Sequence, residues 1–187
     1  MPTTIDDSEI HQIVQHVVQQ VMGSVGREQV TAAASSARKI VAVGADHGGF
    51  ELKETLKSDL NVLGFEVMDV GTVSKEAVDY PDFAHAVAQS VSTGKAWRGI
   101  MIDGAGIGSC IVANKVPGVR AGMAYDVSSA VNSREHNDTN VLTLGAGLIG
   151  VSLAKQIVKT WLTTEFGGDR HTKRVDKIKA VERQYLK

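Results

Sequence analysis

The chain has 187 residues, 43% of them hydrophobic and 22% charged, with a formal net charge of -1. That apolar fraction supports a packed core and excludes wholesale disorder. The balanced charge excludes a protein that holds nucleic acid by phosphate attraction alone. The single cysteine, Cys110, excludes a disulfide framework and a thiolate metal cluster, and it fits a reducing compartment. Glycine is plentiful, at 19 residues against 3 prolines, which favours an α/β domain with tight βα turns.

Residues 1–22 carry the first element. Ile10, Ile13, Val14, Val17, Val18, Val21 and Met22 fall on one helical stripe. Asp6 and Glu9 have the spacing of a capping box, Ile5 and Ile10 that of a hydrophobic staple, and Gly23 is the stop. Gln12, Gln15, His16, Gln19 and Gln20 make an almost uncharged polar face. With many β-branched residues, this helix is marginal alone in water and needs a partner surface. Gln and His interrupt it too often for a membrane span, and it lacks an export leader's basic start and cleavage site. The chain is therefore expected in the cytosol, with no membrane partner. Residues 23–38 are rich in Gly, Ser and Ala without apolar period, as a flexible linker is. The helix is then either an arm packed on its own domain or a docking tag; its cap and tether favour the tag.

Residues 39–187 alternate strand and helix patterns. Strands are expected at KIVAVGA, FEVMDVG, RGIMID, VRAGMAY and NVLTLGAG. Helices are expected at ELKETLKSDLNVLG, DFAHAVAQSVSTGK with Pro81 just ahead of it, GVSLAKQIVKTWLTTEF and HTKRVDKIKAVERQYL. This order implies a doubly wound, mainly parallel five-stranded sheet with helices on both faces. Ligands bind such sheets at the carboxyl ends of the strands. Four polar clusters are assigned to that rim: Asp46-His47-Gly48-Gly49, Asp79-Tyr80-Pro81, Asp103 to Ser109, and Arg134 to Asp138.

Each cluster also has a plainer reading. Gly104, Gly106 and Gly108 beat every second residue, unlike a dinucleotide fingerprint, and a packing turn explains them equally. Such a turn leading into a helix also presents backbone N–H groups to an anion. His136 is either a buried histidine or a general acid/base. Asp46, Asp79 and Asp138 are common turn formers. Arg170 and Arg174, four apart, suit a phosphate clamp or a solvated basic face. Cys110 reads as a small core residue more readily than as a nucleophile.

GADHGGFELKETL, VDYPDFAHAVA, GAGIG followed by ANKVPGVRA, SREHNDTNVL, and GGDRHTKRV occur in that order from Lys39 to about Ile178. As a set they resemble the ribose-5-phosphate isomerase B and galactose-6-phosphate isomerase family. The resemblance implies a metal-free, cofactor-free aldose–ketose isomerase of sugar phosphates on a Rossmann-like α/β/α sandwich. It implies a homodimer or tetramer with sites shared between subunits. Residue by residue, it implies that Asp46 and His47 contact the sugar and its phosphate, and that Tyr80 lines the pocket. The amides from Gly104 through Gly106 and Gly108 to Ser109 would hold the enediolate oxygens. His136 would assist ring opening, Asn137 would bind a hydroxyl, and Arg170 and Arg174 would take the phosphate. The N-terminal helix resembles, in pattern, the encapsulation peptides of bacterial microcompartment enzymes. A shell protein is thus the partner expected for residues 5–22.

Three positions depart from the family pattern. Asp103 stands where many members have a catalytic cysteine, Ala105 where a Thr or Ser helps the histidine, and Gly147 where an arginine is frequent. The glutamate of another branch is Ser109 here. Asp103 is accordingly the expected base for moving a proton between C1 and C2. The lost hydroxyl at Ala105 leads to slow ring opening and a preference for open-chain or short sugar phosphates. The substrate expected first is ribose 5-phosphate; tetrose phosphate, galactose 6-phosphate and an inactive sugar-phosphate binder are the alternatives.

Overall fold

The computed structural model describes residues 38–185 and, ahead of them, Gln15. The amphipathic helix expected over residues 1–22 and the linker expected over 23–38 lie, apart from Gln15 and Arg38, outside the described residues. Arg38–Lys187 forms one compact unit.

Its elements run β1 (Ile40–Ala45), α1 (Phe50–Val62), β2 (Glu66–Asp69), α2 (Tyr80–Ser92), β3 (Arg98–Asp103), α3 (Ile107–Ala113), β4 (Ala121–Met123), α4 (Val127–Glu135), β5 (Val141–Gly145), α5 (Val151–Thr163) and α6 (Asp169–Tyr185). All five strands are parallel, in the order β2-β1-β3-β5-β4. The three inner strands are buried almost throughout, which explains their continuous apolar runs. One core packs Leu52, Leu56 and Leu60 of α1 with Ile157 and Trp161 of α5. The other packs Ala84, Val87 and Val91 of α2 on the opposite face. The result is the expected α/β/α sandwich.

Two elements differ from expectation. α2 starts at Tyr80, so Pro81 lies within its first turn, where a missing N–H costs nothing. α4 is not expected at all. It is held by a capping box in which Asp126 accepts from the Ser129 N–H and Ser129 answers at the cap.

The path of α4 decides where the fourth cluster lies. Leaving the carboxyl end of β4, it runs back to the amino edge of the sheet before β5 begins. Arg134 to Asp138 therefore lies at the amino edge. The other three clusters sit at the carboxyl edge, so the expectation of one rim is corrected to two edges.

Candidate active site

The strand order reverses between β1 and β3, and this is where a parallel sheet opens a crevice. Asp46 leaves β1 and Asp103 ends β3 on its two sides. A Cβ on Gly48 would lie 3.4 Å from Asp46 Oδ1 and 3.6 Å from the Gly104 nitrogen, so both border one point. The His47 ring is pinned at Nδ1 by the Val78 backbone at 3.2 Å. Tyr80 packs on the glycine turn: a Cβ on Gly108 would meet its ring at 2.5 Å. Gly106 takes a left-handed φ of 79° that other residues rarely accept. Gly147 donates to the Gly104 carbonyl at 3.0 Å, so the position of the family's frequent arginine is filled here by backbone packing.

Asp103 is only 4% exposed, and its carboxylate is fully engaged. Oδ1 accepts from the amides of Ala105 (2.8 Å) and Gly106, and Oδ2 from the Ser109 amide (3.3 Å) and hydroxyl. Four donors fill the roughly four lone-pair sites of a carboxylate. Asp103, expected as a base buried against the glycine turn, is buried there, and its carboxylate holds the turn together. Three amides of the 104–109 turn, those of Ala105, Gly106 and Ser109, are committed to this carboxylate. Gly104, Ile107 and Gly108 keep N–H groups without a partner among the described residues. Cys110 is half-buried, donates to the Ala121 carbonyl at 3.5 Å, and has its thiol pushed up by burial, which suits a core residue.

A second group assembles at the amino edge. His136 caps α4, and its ring stacks on His171 with centroids 4.2 Å apart and planes 9° apart. Asn132 Nδ2 meets His136 Nδ1 at 2.9 Å. Asn137 is exposed beside it, with its amide 3.4 Å from the Asn132 carbonyl. Asp138 anchors this corner in a left-handed conformation (φ 47°), taking Arg134 on Oδ1 at 2.8 Å and Arg120 on Oδ2 at 2.9 Å. On α6, Arg170 Nε donates to His171 Nε2 at 3.3 Å, and Arg174 follows one turn later. Burial lowers the His171 pKa, with His136, Arg170 and Arg174 adding to the effect. Neither arginine meets a carboxylate among the described residues, so both are available to an anion. A groove of about 650 Å³ borders this group along β4 and α4, with Arg120, Asn132 and Asn137 in its lining.

The expected residues therefore form two clusters. β3, six residues long, separates the two edges by on the order of 16 Å. Sequence reasoning missed Asn132, and missed the buried Arg134 and half-buried Asp138 as supports of His136 and Asn137. The Asp126-x-x-Ser129 cap is the signal that would have revealed α4.

A model of the Ribose/Galactose Isomerase family matches residues 41–178. The chain belongs to the ribose/galactose isomerase family. Ribose-5-phosphate isomerase B of Escherichia coli is 46% identical over 146 residues, covering 78% of this chain and 98% of the relative. A D-erythrulose-4-phosphate isomerase of Pectobacterium atrosepticum is 42% identical over 145 residues, covering 77% and 95%. The solved ribose-5-phosphate isomerase B of Clostridium thermocellum superposes with a TM-score of 0.77 at 49% identity, covering 78% of this chain and 99% of that one. This ribose/galactose isomerase family member is thus an isomerase on the family's own fold. Among the described residues, no helix is long and apolar enough to cross a membrane.

Proposed function

We propose that this protein interconverts an aldose phosphate and a ketose phosphate through a cis-enediol(ate), in sites that two copies build together. The observation that carries this reading is the division of the site between the two sheet edges. The carboxyl edge offers a carboxylate, His47, Tyr80 and amides without a partner among the described residues; the amino edge offers His136, Asn137 and two arginines that meet no carboxylate among the described residues. Within one chain these halves do not meet, so a sugar phosphate spans them only across a subunit interface. Ile107, Ile111, Leu148 and Val151 support this arrangement, being largely exposed at the carboxyl edge.

The proton moves between C1 and C2, and the amides of the glycine turn hold the oxygen charge that develops. Arg170 and Arg174 take the phosphate as a pair of forked donors. His136 protonates the ring oxygen when the substrate is cyclic. Ribose 5-phosphate and ribulose 5-phosphate are the first substrate pair, in line with the E. coli relative. Ala105 favours a second: in a tetrose 4-phosphate the 4-oxygen carries phosphate, no furanose closes, and the missing hydroxyl helper is not needed. NMR of ribose 5-phosphate, erythrose 4-phosphate and galactose 6-phosphate with the enzyme tests this. Turnover of one pair supports the reading; binding without interconversion of any of them overturns it.

Residues 5–22 supply the shell-docking helix of a bacterial microcompartment enzyme in this proposal, supported by their apolar stripe and cap pattern alone. Deleting residues 1–38 is expected to preserve isomerisation and abolish co-localisation with a shell. A truncated enzyme that still co-localises refutes the docking role.

A further inference from the structure

With Asp103 engaged by its own turn, the crevice needs another proton acceptor. We infer that Asp46 is the base that carries the proton between C1 and C2, an assignment that rests on the isomerase reading above. Asp46 is buried, at 7% exposure, and stands on the β1 side of the switch point. Oδ1 accepts the Gly49 N–H at 3.0 Å, which fixes the carboxylate plane. Oδ2 has no partner among the described residues and keeps some contact with solvent.

The other nearby carboxylates fit less well. Asp79 is exposed at the start of α2. Glu51 pairs with Lys75, and Asp69 is taken by Lys53 and Lys57. Among these carboxylates, Asp46 alone combines burial, a fixed plane and an open oxygen with proximity to the Gly104 amide.

The step balances without a co-reactant. Asp46 Oδ2 takes the proton from C2 of the aldose; the C–H electron pair forms the C1–C2 double bond, and the charge moves to O1. The free N–H groups of Gly104, Ile107 and Gly108 are the donors for that oxygen. The O2 proton passes to O1, the protonated Asp46 returns its proton to C1, and O2 becomes the ketone. Asp103, through its bonds to Ala105, Gly106 and Ser109, holds the turn that carries those amides without touching the reacting carbons.

Asp46→Asn keeps the Oδ1 acceptor for Gly49 and removes only the basic oxygen. Turnover is expected to fall at least about 100-fold, the usual worth of a general base. Affinity for the sugar phosphate, read by calorimetry, should stay within a few-fold. Wash-in of solvent deuterium at the exchanging carbon should vanish with turnover. Retained exchange in Asp46→Asn overturns the inference, as does a loss of affinity that accounts for the lost rate. So does Asp103→Asn abolishing exchange at unchanged thermal stability. A wild-type enzyme that isomerises no sugar phosphate refutes the isomerase reading instead, so the two failures are distinguishable.

Discussion

Gly108 carries no side chain because Tyr80 occupies that space, with its ring 2.5 Å from where a Cβ would sit. Tyr80 is 38% exposed, so in Gly108→Ala the ring is free to swing outward rather than strain the core. The expected result is a small change in Tm and a rise in KM of roughly tenfold, equivalent to about 1.4 kcal/mol of lost binding. A large drop in Tm with unchanged KM would instead make the contact purely structural. At the other edge, His171 is buried with Nδ1 unpartnered, and burial holds its pKa below the ordinary 6.5. Just under pH 6.5 the unfolded chain takes up a proton that the folded chain refuses. This contribution to stability is therefore full above pH 6.5 and declines as the pH falls below it. His171→Phe keeps a ring against His136 and removes the titration. Its Tm is expected to fall less than that of the wild type between pH 7.5 and 5.5; parallel curves would acquit His171.

At the scale of elements, α4 sets the position of His136 and Asn137, and Asp138 locks its end. Asp138→Asn tolerates the left-handed backbone but leaves the buried Arg134, 5% exposed, facing a neutral partner. Because Asp138 is itself 30% exposed, the expected cost is about 1–2 kcal/mol rather than the larger penalty of a sealed pair. Chemical denaturation measures this, and KM should rise as the Asn137 corner loosens. The inner strands were legible in the sequence because both their faces are covered, which makes each an unbroken apolar run. α1 was legible from Leu52, Leu56 and Leu60 in one stripe. α4 was not, because it buries only Ala130, Ser133 and Arg134, which form no apolar period. That omission had a topological consequence. Without a helix running back across the sheet, His136 and Asn137 were assigned to the edge opposite their own. Asp103 was legible as a polar residue at a strand end. Its engagement by Ala105, Gly106 and Ser109 depends on the turn's three-dimensional closure, which residue types alone do not specify.

At the scale of the whole molecule, the proposed site, divided between opposite edges, would make catalysis a property of an assembly of two copies. Two variants, each damaged at one edge, test this directly. Asp46→Asn spoils the carboxyl edge and leaves the arginines; Arg170→Ala with Arg174→Ala spoils the amino edge and leaves Asp46. Each is expected to be nearly inactive alone. If the proposed dimers are dissociated, mixed in equal amounts and allowed to re-form, half of them should pair one of each. A mixed dimer holds one site built from two intact edges and one built from two damaged edges. Recovery should therefore reach roughly a quarter of wild-type activity under random pairing. Recovery should also require exchange of subunits, so mixing under conditions that prevent dissociation should give none. A site complete within one chain has no such route, because every chain in the mixture carries a lesion, and no recovery after proven exchange would return both halves to a single subunit.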